Sequence, residues 1–192
     1  RRARSVDEKN LETIMAIATD LEEAMRYEEA AQALQELLKT DEDNTTAAQR
    51  LRDLWLKLER WESAHDLTEK ILKDGLRPEE HAREQAQLLG IKYELGRIRQ
   101  SQGKRDEARH FFKGILKLEK GYIPAYIGLG ESLVQDGKMK NACEFWEKAY
   151  ETTANPILLH RLEDLYVELG QPEKILALYR RALNRDPANP LL

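Results

Sequence analysis

The sequence predicts an all-α fold in which antiparallel helix pairs stack one after another. Between its 10 glycines and 6 prolines, the 192-residue chain consists mainly of Ala, Leu, Glu, Lys, Arg and Gln, which favour helices. No stretch alternates β-branched and polar residues before a hairpin turn, as β-strands would. Small residues also recur after short turns at a nearly constant interval, which indicates that the helices form a repeated unit.

The repeat is defined by the residue that follows each turn. Ala30, Ala64, Ala108 and Ala142 occupy this position, and Ile175 occupies it in the last copy. The successive spacings are 34, 44, 34 and 33 residues. A period of 34 residues in an all-helical sequence is typical of the tetratricopeptide repeat, in which each unit is a helix–turn–helix.

Other positions of that repeat are also filled. The fourth copy carries Tyr126, Leu129, Gly130, Gly137, Ala142, Trp146 and Ala149. The fifth carries Leu162, Tyr166, Gly170, Tyr179, Ala182 and Pro187. These are the large, small, turn and proline positions of the repeat, so the chain resembles the tetratricopeptide repeat family over nearly its whole length. The resemblance implies a right-handed superhelix of about five repeats.

We place a basic N-terminal flank at residues 1–10 and the repeat array at residues 11–192. The five units cover residues 11–44, 45–78, 79–122, 123–155 and 156–192. The first is the least regular, because Met25 and Arg26 stand where a turn glycine is common. From the final "NPLL" we expect that the sequence is part of a longer protein, and that exposed packing surfaces of the terminal repeats permit self-association.

The 44-residue interval contains ten extra residues, within "GLRPEEHAREQAQLLG" at residues 75–90. Pro78, followed by Glu79 and Glu80, predicts a helix start. The insertion is therefore predicted to lengthen the first helix of the third unit by about 15 Å, projecting beyond the regular stack. Its role is open between a spacer and a ridge that contacts a partner. In both cases, deletion of residues 79–88 is expected to leave a folded array.

Composition excludes several functional classes. The 31 basic and 35 acidic residues are interspersed and give a net charge of −4; a nucleic-acid-binding protein would show a basic face or stripe. The only basic cluster is "RRAR" at the start. No apolar run approaches the roughly 20 residues that span a bilayer. The single cysteine, Cys143, rules out an internal disulfide and a zinc site built from several thiolates.

Catalytic motifs are also missing. The sequence contains no HExxH, no phosphate-binding P-loop and no GxSxG, the patterns that metalloproteases, nucleotidases and hydrolases carry. The "GLG" at Gly128–Gly130 follows no strand, and close packing of the repeat helices explains it. We therefore expect no enzyme activity, no catalytic residue, no metal site and no cofactor in this chain. Its function would be to bind proteins or peptides, with neither nucleic-acid binding nor direct membrane insertion.

The family resemblance also implies which residues bind a partner. In tetratricopeptide repeats the second, fifth, ninth and twelfth residues of each unit face a concave groove. In the third unit the positions are counted from Leu89, after the insertion. Carried onto this chain, the groove residues are Gln49, Asp53, Tyr93, Arg97, Gln100, Ile127, Glu131, His160 and Asp164. Tyr93 and Arg97 share one helix face and are residue types favoured at interface hot spots, although an ordinary surface role stays open. The mixed or acidic lining disfavours capture of a peptide carboxylate.

The order of features resembles one family more specifically. A "W..A" unit, a lengthened first helix and then a "G..D.A" unit are similar to the repeats of the bacterial lipopolysaccharide assembly protein B family. This resemblance implies an adaptor that links a membrane AAA+ protease to the deacetylase of lipid A synthesis. It also implies repeats on the cytoplasmic face of the inner membrane, anchored through a segment outside this sequence. The alternatives are a scaffold of another bacterial assembly, such as a pilus, secretion or organelle system, and the substrate-recruiting part of a larger enzyme such as a glycosyltransferase.

Overall fold

The chain forms helix pairs throughout the part that the structure, a computed structural model, describes: residues 2–73 and 76–185, with side chains from 10 to 73 and from 76 to 184. Within these ranges there are ten α-helices and no strand. They are α1 (Arg2–Glu23), α2 (Tyr27–Thr40), α3 (Thr45–Lys57), α4 (Trp61–Lys73), α5 (Pro78–Ser101), α6 (Arg105–Leu118), α7 (Ile123–Gln135), α8 (Met139–Thr153), α9 (Pro156–Glu168) and α10 (Pro172–Arg185). The predicted all-α fold with about five repeats is confirmed.

The predicted unit borders can be compared with the helix starts. Helices α3, α7 and α9 begin at Thr45, Ile123 and Pro156, which are the first residues of three predicted units. Helix α1 begins at Arg2, so most of the predicted N-terminal flank is helical. Arg1, Gly75, Pro187 and the final "NPLL" lie outside the described residues, as do the side chains of the rest of "RRAR".

The chain divides into two compact units, Arg1–Ile91 and Lys92–Leu192, with the border inside α5. In the first unit, Leu34 and Leu51 are at most 2% exposed and lie in a core shared by α1, α2 and α3. In the second, Trp146 and Leu162 belong to a core shared by α8, α9 and α10. Each core is built between helices that follow one another in sequence, as expected for a repeat protein.

One turn geometry joins the two helices of every pair. The second residue after the first helix has positive φ, and its N–H donates to the carbonyl three residues earlier. The next N–H donates to the carbonyl five residues before it, and all these N···O distances are 2.7–3.2 Å. This is the Schellman motif, which favours glycine. The positive-φ residues are Met25, Glu59, Gly103, Gly137 and Gly170.

Replacement of Met25 by glycine should stabilise the first unit. Met25 has φ +57° and is 75% exposed, so its side chain contributes little packing while its Cβ is strained in the left-handed region. We expect Met25→Gly to raise the free energy of unfolding by about 0.5–1 kcal/mol, measured by urea denaturation. Ala24→Gly, at a neighbouring residue without positive φ, is the control and should lower it. A free energy of unfolding lower for Met25→Gly than for wild type would show that Met25 is not strained in its left-handed conformation.

The ten-residue insertion is part of the first unit's packing. Helix α5 has 24 residues, whereas α3, α7 and α9 have 13 each. Within the extra length, Glu84 is only 1% exposed and Leu88 only 6%. The prediction that this segment projects beyond the stack is therefore wrong at these positions, because a buried ion pair fastens the lengthened helix to α3.

That pair joins the carboxylate of Glu84 to the guanidinium of Arg52, and both side chains are at most 4% exposed. Gln49 donates from Nε2 to the other oxygen of Glu84, at 3.0 Å. Arg52 Nε also donates to Asp53 Oδ1 at 2.9 Å. A buried charge needs such partners, because desolvation of an unpaired ion costs several kcal/mol.

Candidate partner-binding groove

The first unit holds two of the predicted groove residues, both on α3. Gln49 is half-buried and is occupied by its hydrogen bond to Glu84. The side chain of Asp53 is 56% exposed and accepts from Arg52. Both residues therefore support the buried pair, and of the two only Asp53 presents a largely exposed polar group to solvent.

In the second unit, five of the seven predicted residues, on α5, α7 and α9, line two adjoining cavities. The first, here called the Tyr93 cavity, has a volume of about 260 Å³ and lies between α5 and α7. Its lining is Tyr93, Arg97, Gln100, Ser101, Phe112, Gly128, Glu131 and Gln135. Four of these residues, Tyr93, Arg97, Gln100 and Glu131, are predicted groove residues. The structure thus brings side chains from two successive repeats to one place.

Tyr93 is held in this cavity by aromatic packing. Its ring centroid lies 5.9 Å from that of Phe112 and 6.1 Å from that of Tyr122. The ring of Phe112 in turn packs closely against glycines of α5 and α7. A Cβ added to Gly96 or Gly128 would lie only 2.6 Å from this ring. Burial raises the pKa of the Tyr93 hydroxyl, so the hydroxyl stays protonated at neutral pH and is available as a donor.

Arg97 lies at the exposed edge of the Tyr93 cavity. Its guanidinium Nη1 is 3.3 Å from Glu94 Oε2, one turn earlier on the same helix, and its side chain is 61% exposed. An exposed pair of this kind contributes little to stability. The guanidinium can therefore exchange Glu94 for a partner's acceptor at small cost.

The second cavity, here called the Trp146 cavity, lies between α7 and α9 and has a volume of about 250 Å³. Its lining is Glu131, Val134, Gln135, Trp146, Arg161, Asp164, Leu165 and Glu168. Glu131 and Gln135 line both cavities, so the two form one continuous surface across three successive first helices.

Trp146 forms the floor of its cavity and is fixed in place. The side chain is 3% exposed, and its Nε1–H donates to the carbonyl of Tyr126 at 2.9 Å. A Cβ on Gly130 would overlap the indole atoms Cε2 and Nε1. The "GLG" of α7 is thus explained by close contact, with Gly128 facing Phe112 and Gly130 facing Trp146.

The charges at the Trp146 cavity are unbalanced. Arg161 Nη2 lies 3.5 Å from Glu131 Oε1, which pairs those two groups. Asp164 and Glu168, one turn apart on α9, are exposed and line the same cavity. Among the described residues, neither of these two carboxylates has an ion-pair partner. The cavity therefore combines an aromatic floor with a net acidic rim.

Two predicted groove residues of the second unit line neither cavity. Ile127 is half-buried and packs against the hydrophobic core of this unit. His160 is exposed, with Nδ1 3.8 Å from Glu163 Oε2, a pair that is ionic only when the imidazole is protonated. Each lies one helical turn before a residue that does line a cavity, Glu131 for Ile127 and Asp164 for His160.

The sequence pattern does not identify several lining residues. Gln135 and Glu168 lie four residues after Glu131 and Asp164, so continuing the groove positions by one helical turn would have found them. The type and register of Trp146 indicate only a packing residue at a core position. The ring is indeed almost buried, but one of its faces also forms the floor of a cavity. The sequence position gives no sign of this second role.

Neither a metal centre nor a membrane span can be assigned to the described residues. Among them, no three His, Cys, Asp or Glu side chains come together as metal ligands would. In the same ranges, the helices are too short or too polar to cross a bilayer. Burial raises the pKa of the Cys143 thiol, so this side chain is mostly unionised at neutral pH and serves the core.

Comparison with known proteins supports the repeat assignment. The family described as Tetratricopeptide repeat matches residues 158–191. Among solved structures, MamA is 16% identical with a TM-score of 0.54, covering 94% of this chain and 93% of MamA. YrrB, described as a TPR protein with an unusual peptide-binding site, is 18% identical with a TM-score of 0.50, covering 98% of this chain and 94% of YrrB.

A sequence relative adds a partial match. The CTR9 homolog of Arabidopsis thaliana is 28% identical over 128 residues, which are 64% of this chain and 12% of the plant protein. At these identities the solved structures establish the fold alone. Residues 158–191 match a tetratricopeptide repeat, and the chain is a protein of the tetratricopeptide-repeat fold.

Proposed function

We propose that this chain is a non-catalytic scaffold that binds a segment of a partner protein in the second unit, along α7, α9 and the part of α5 that follows Ile91. The observation that carries the proposal is the alignment of polar and aromatic side chains from three successive repeats around two adjoining cavities. Helices of this fold generally serve as interaction modules, and one structural neighbour is described as having a peptide-binding site.

The size and chemistry of the cavities favour a peptide over a small metabolite. Each has a volume of about 250 Å³ to 260 Å³, smaller than the roughly 300–1,000 Å³ typical of pockets for drug-sized ligands. Each therefore suits one side chain. Gln100 and Gln135 provide amide groups that can both donate to and accept from a peptide backbone, and Tyr93 and Arg97 are residue types enriched at interface hot spots.

The double variant Arg97→Ala/Gln135→Ala tests the location of the binding surface. Both side chains line the Tyr93 cavity, and Arg97 is largely exposed, so their removal should leave the fold intact. We expect partner affinity to fall by about 5- to 50-fold, as for truncation of one or two hot-spot residues. The measurement is affinity capture with the wild-type chain as bait, followed by titration of each captured protein against the variant.

Lys113→Ala/Asn141→Ala is the matched control. Both residues are exposed on second helices of their pairs. The change in net charge is the same as for Arg97→Ala/Gln135→Ala, here called the groove variant. Captured proteins that bind wild type and control equally, and bind the groove variant weakly, support the proposal. Proteins that bind all three chains equally would place the binding surface elsewhere.

We further propose the specific role that the sequence resemblance suggests: an adaptor between a membrane AAA+ protease and the deacetylase of lipid A synthesis, on the cytoplasmic face of a bacterial inner membrane. The supporting observation is the ten-residue lengthening of α5 between the "W..A" and "G..D.A" units. The test is direct binding of the purified chain to each of those two proteins. Absence of binding to both, at concentrations where other captured partners bind, would reject this role and retain the scaffold.

A further inference from the structure

We infer that the Trp146 cavity receives a lysine or arginine side chain of the bound segment. This inference rests on the proposed function and specifies the chemistry of the partner. The cavity has an apolar interior and an acidic rim, and these two properties match the two parts of a long basic side chain. The partner is therefore a basic segment in extended or helical form, with its cation directed toward α9.

The apolar part of the cavity fits the methylene chain. Val134, Trp146 and Leu165 line it together, and the indole is fixed by its hydrogen bond to Tyr126. Lys and Arg side chains commonly bury their methylene groups along apolar surface while the charged end stays near water. A short apolar side chain would leave the rim carboxylates without a partner.

The rim supplies the charge for the cationic end. Three carboxylates line the cavity, those of Glu131, Asp164 and Glu168, against the single guanidinium of Arg161. Arg161 is already paired with Glu131, so Asp164 and Glu168 are left to bind a cation. Because both are on α9 one turn apart, a single ammonium or guanidinium group between them can contact both.

Other ligands fit this cavity less well. An acidic segment would bring like charges next to Asp164 and Glu168, which disfavours binding. A metal ion would need further ligands, and no group of three ligating side chains forms among the described residues. The basic side chain is the ligand that satisfies both the apolar floor and the rim.

Three fluorescein-labelled octapeptides of equal length test the inference. In them leucine alternates with lysine, with glutamate or with the uncharged norleucine, and binding is measured by fluorescence anisotropy. We expect the lysine peptide to bind the wild-type chain at least tenfold more tightly than the other two. Its affinity should fall at high salt, because exposed charges are screened.

The variant Asp164→Asn/Glu168→Gln keeps the shape of the rim and removes its charge. We expect it to bind the lysine peptide about 5- to 10-fold more weakly than wild type. The matched control is Glu12→Gln/Asp20→Asn, which makes the same change in net charge at exposed positions of α1. That control should bind as wild type does, which separates a local effect from attraction to the acidic chain as a whole.

Two outcomes would overturn the inference. One is an equal loss of lysine-peptide binding in Asp164→Asn/Glu168→Gln and in Glu12→Gln/Asp20→Asn. The binding would then reflect non-specific attraction of the peptide to an acidic protein. The other is tighter binding of the glutamate or norleucine peptide, with a loss in Arg97→Ala/Gln135→Ala. The second result would keep the proposed binding surface and reject only the basic ligand, so failure of this inference is distinguishable from failure of the scaffold function.

Discussion

Glu84→Ala should destabilise the first unit by about 3–5 kcal/mol, the range measured when one partner of a buried ion pair is removed. The substitution takes the buried carboxylate from the guanidinium of Arg52, which is 3% exposed and keeps only its contact with the more exposed Asp53. It also takes the acceptor from Gln49. Urea denaturation followed by far-UV circular dichroism and by the fluorescence of Trp55 and Trp61, both in the first unit, measures the effect. Glu79→Ala, at an exposed position of the same helix, is the control and should cost less than about 1 kcal/mol.

A paired replacement separates charge burial from packing. Arg52→Met/Glu84→Leu removes both ions and fills similar volume, and such exchanges are often neutral or stabilising. We expect the double variant to recover most of the stability that Glu84→Ala loses. If the double variant were as unstable as Glu84→Ala, the loss would reflect packing of α5 on α3, and the ion pair would not be the cause.

The burial of Glu84 also changes the expectation for the insertion. Deletion of residues 79–88 would remove Glu84 and the nearly buried Leu88 together, so the structure predicts unfolding of the first unit, whereas the sequence favours a folded array. A role as a partner-contacting ridge is consequently limited to the exposed side chains of this stretch, such as His81 and Arg83. Variants at those positions test the ridge without disturbing the ion pair.

The contrast between these outcomes shows what the sequence could predict. Helix pairs follow from local composition and from a period of 34 residues, which are properties of the chain alone. Of the groove residues predicted from the register, Tyr93, Arg97, Gln100, Glu131 and Asp164 line cavities, and their contact with a partner stays a prediction. The buried pair of Arg52 and Glu84 was not predictable, because the two residues are 32 positions apart in sequence. Nothing in the sequence distinguishes them from solvent-exposed Arg and Glu residues, and only the packing of α5 on α3 buries them.

The depth of a side chain is likewise a property of the packed pair of helices. Trp146 occupies a core position by sequence, yet whether its ring also faces a cavity depends on how closely α7 approaches α8. That approach is set by Gly130, which leaves no room for a Cβ against the indole. A period and a residue type cannot define such a distance, which is why the Trp146 cavity emerged only from the structure.

Gly130→Ala should therefore destabilise the second unit, although alanine is the better helix former by about 1 kcal/mol. The added methyl group overlaps the indole of Trp146, and the indole cannot move without losing its hydrogen bond to the carbonyl of Tyr126. Overpacking of a close contact typically costs about 1–3 kcal/mol. After the gain in helix propensity is subtracted, we expect a net loss of up to about 2 kcal/mol in urea denaturation, together with weaker binding of any side chain that rests on the indole.

Gly114→Ala provides the control for helix propensity. Gly114 lies inside α6, and among the described residues no other helix places an atom within 4 Å of where an alanine Cβ would stand, so alanine there should stabilise by about 0.5–1 kcal/mol. The loss caused by Gly130→Ala should be smaller when it is measured in the Trp146→Leu background, because the smaller side chain makes room for the methyl group. If Gly130→Ala stabilised the protein as much as Gly114→Ala, the indole of Trp146 would be able to move away from the added methyl group at no cost in free energy. An indole that moves so easily could not hold the methylene chain of a bound lysine in a defined position. The affinity of the lysine peptide for the wild-type chain would then have to come from the rim carboxylates alone.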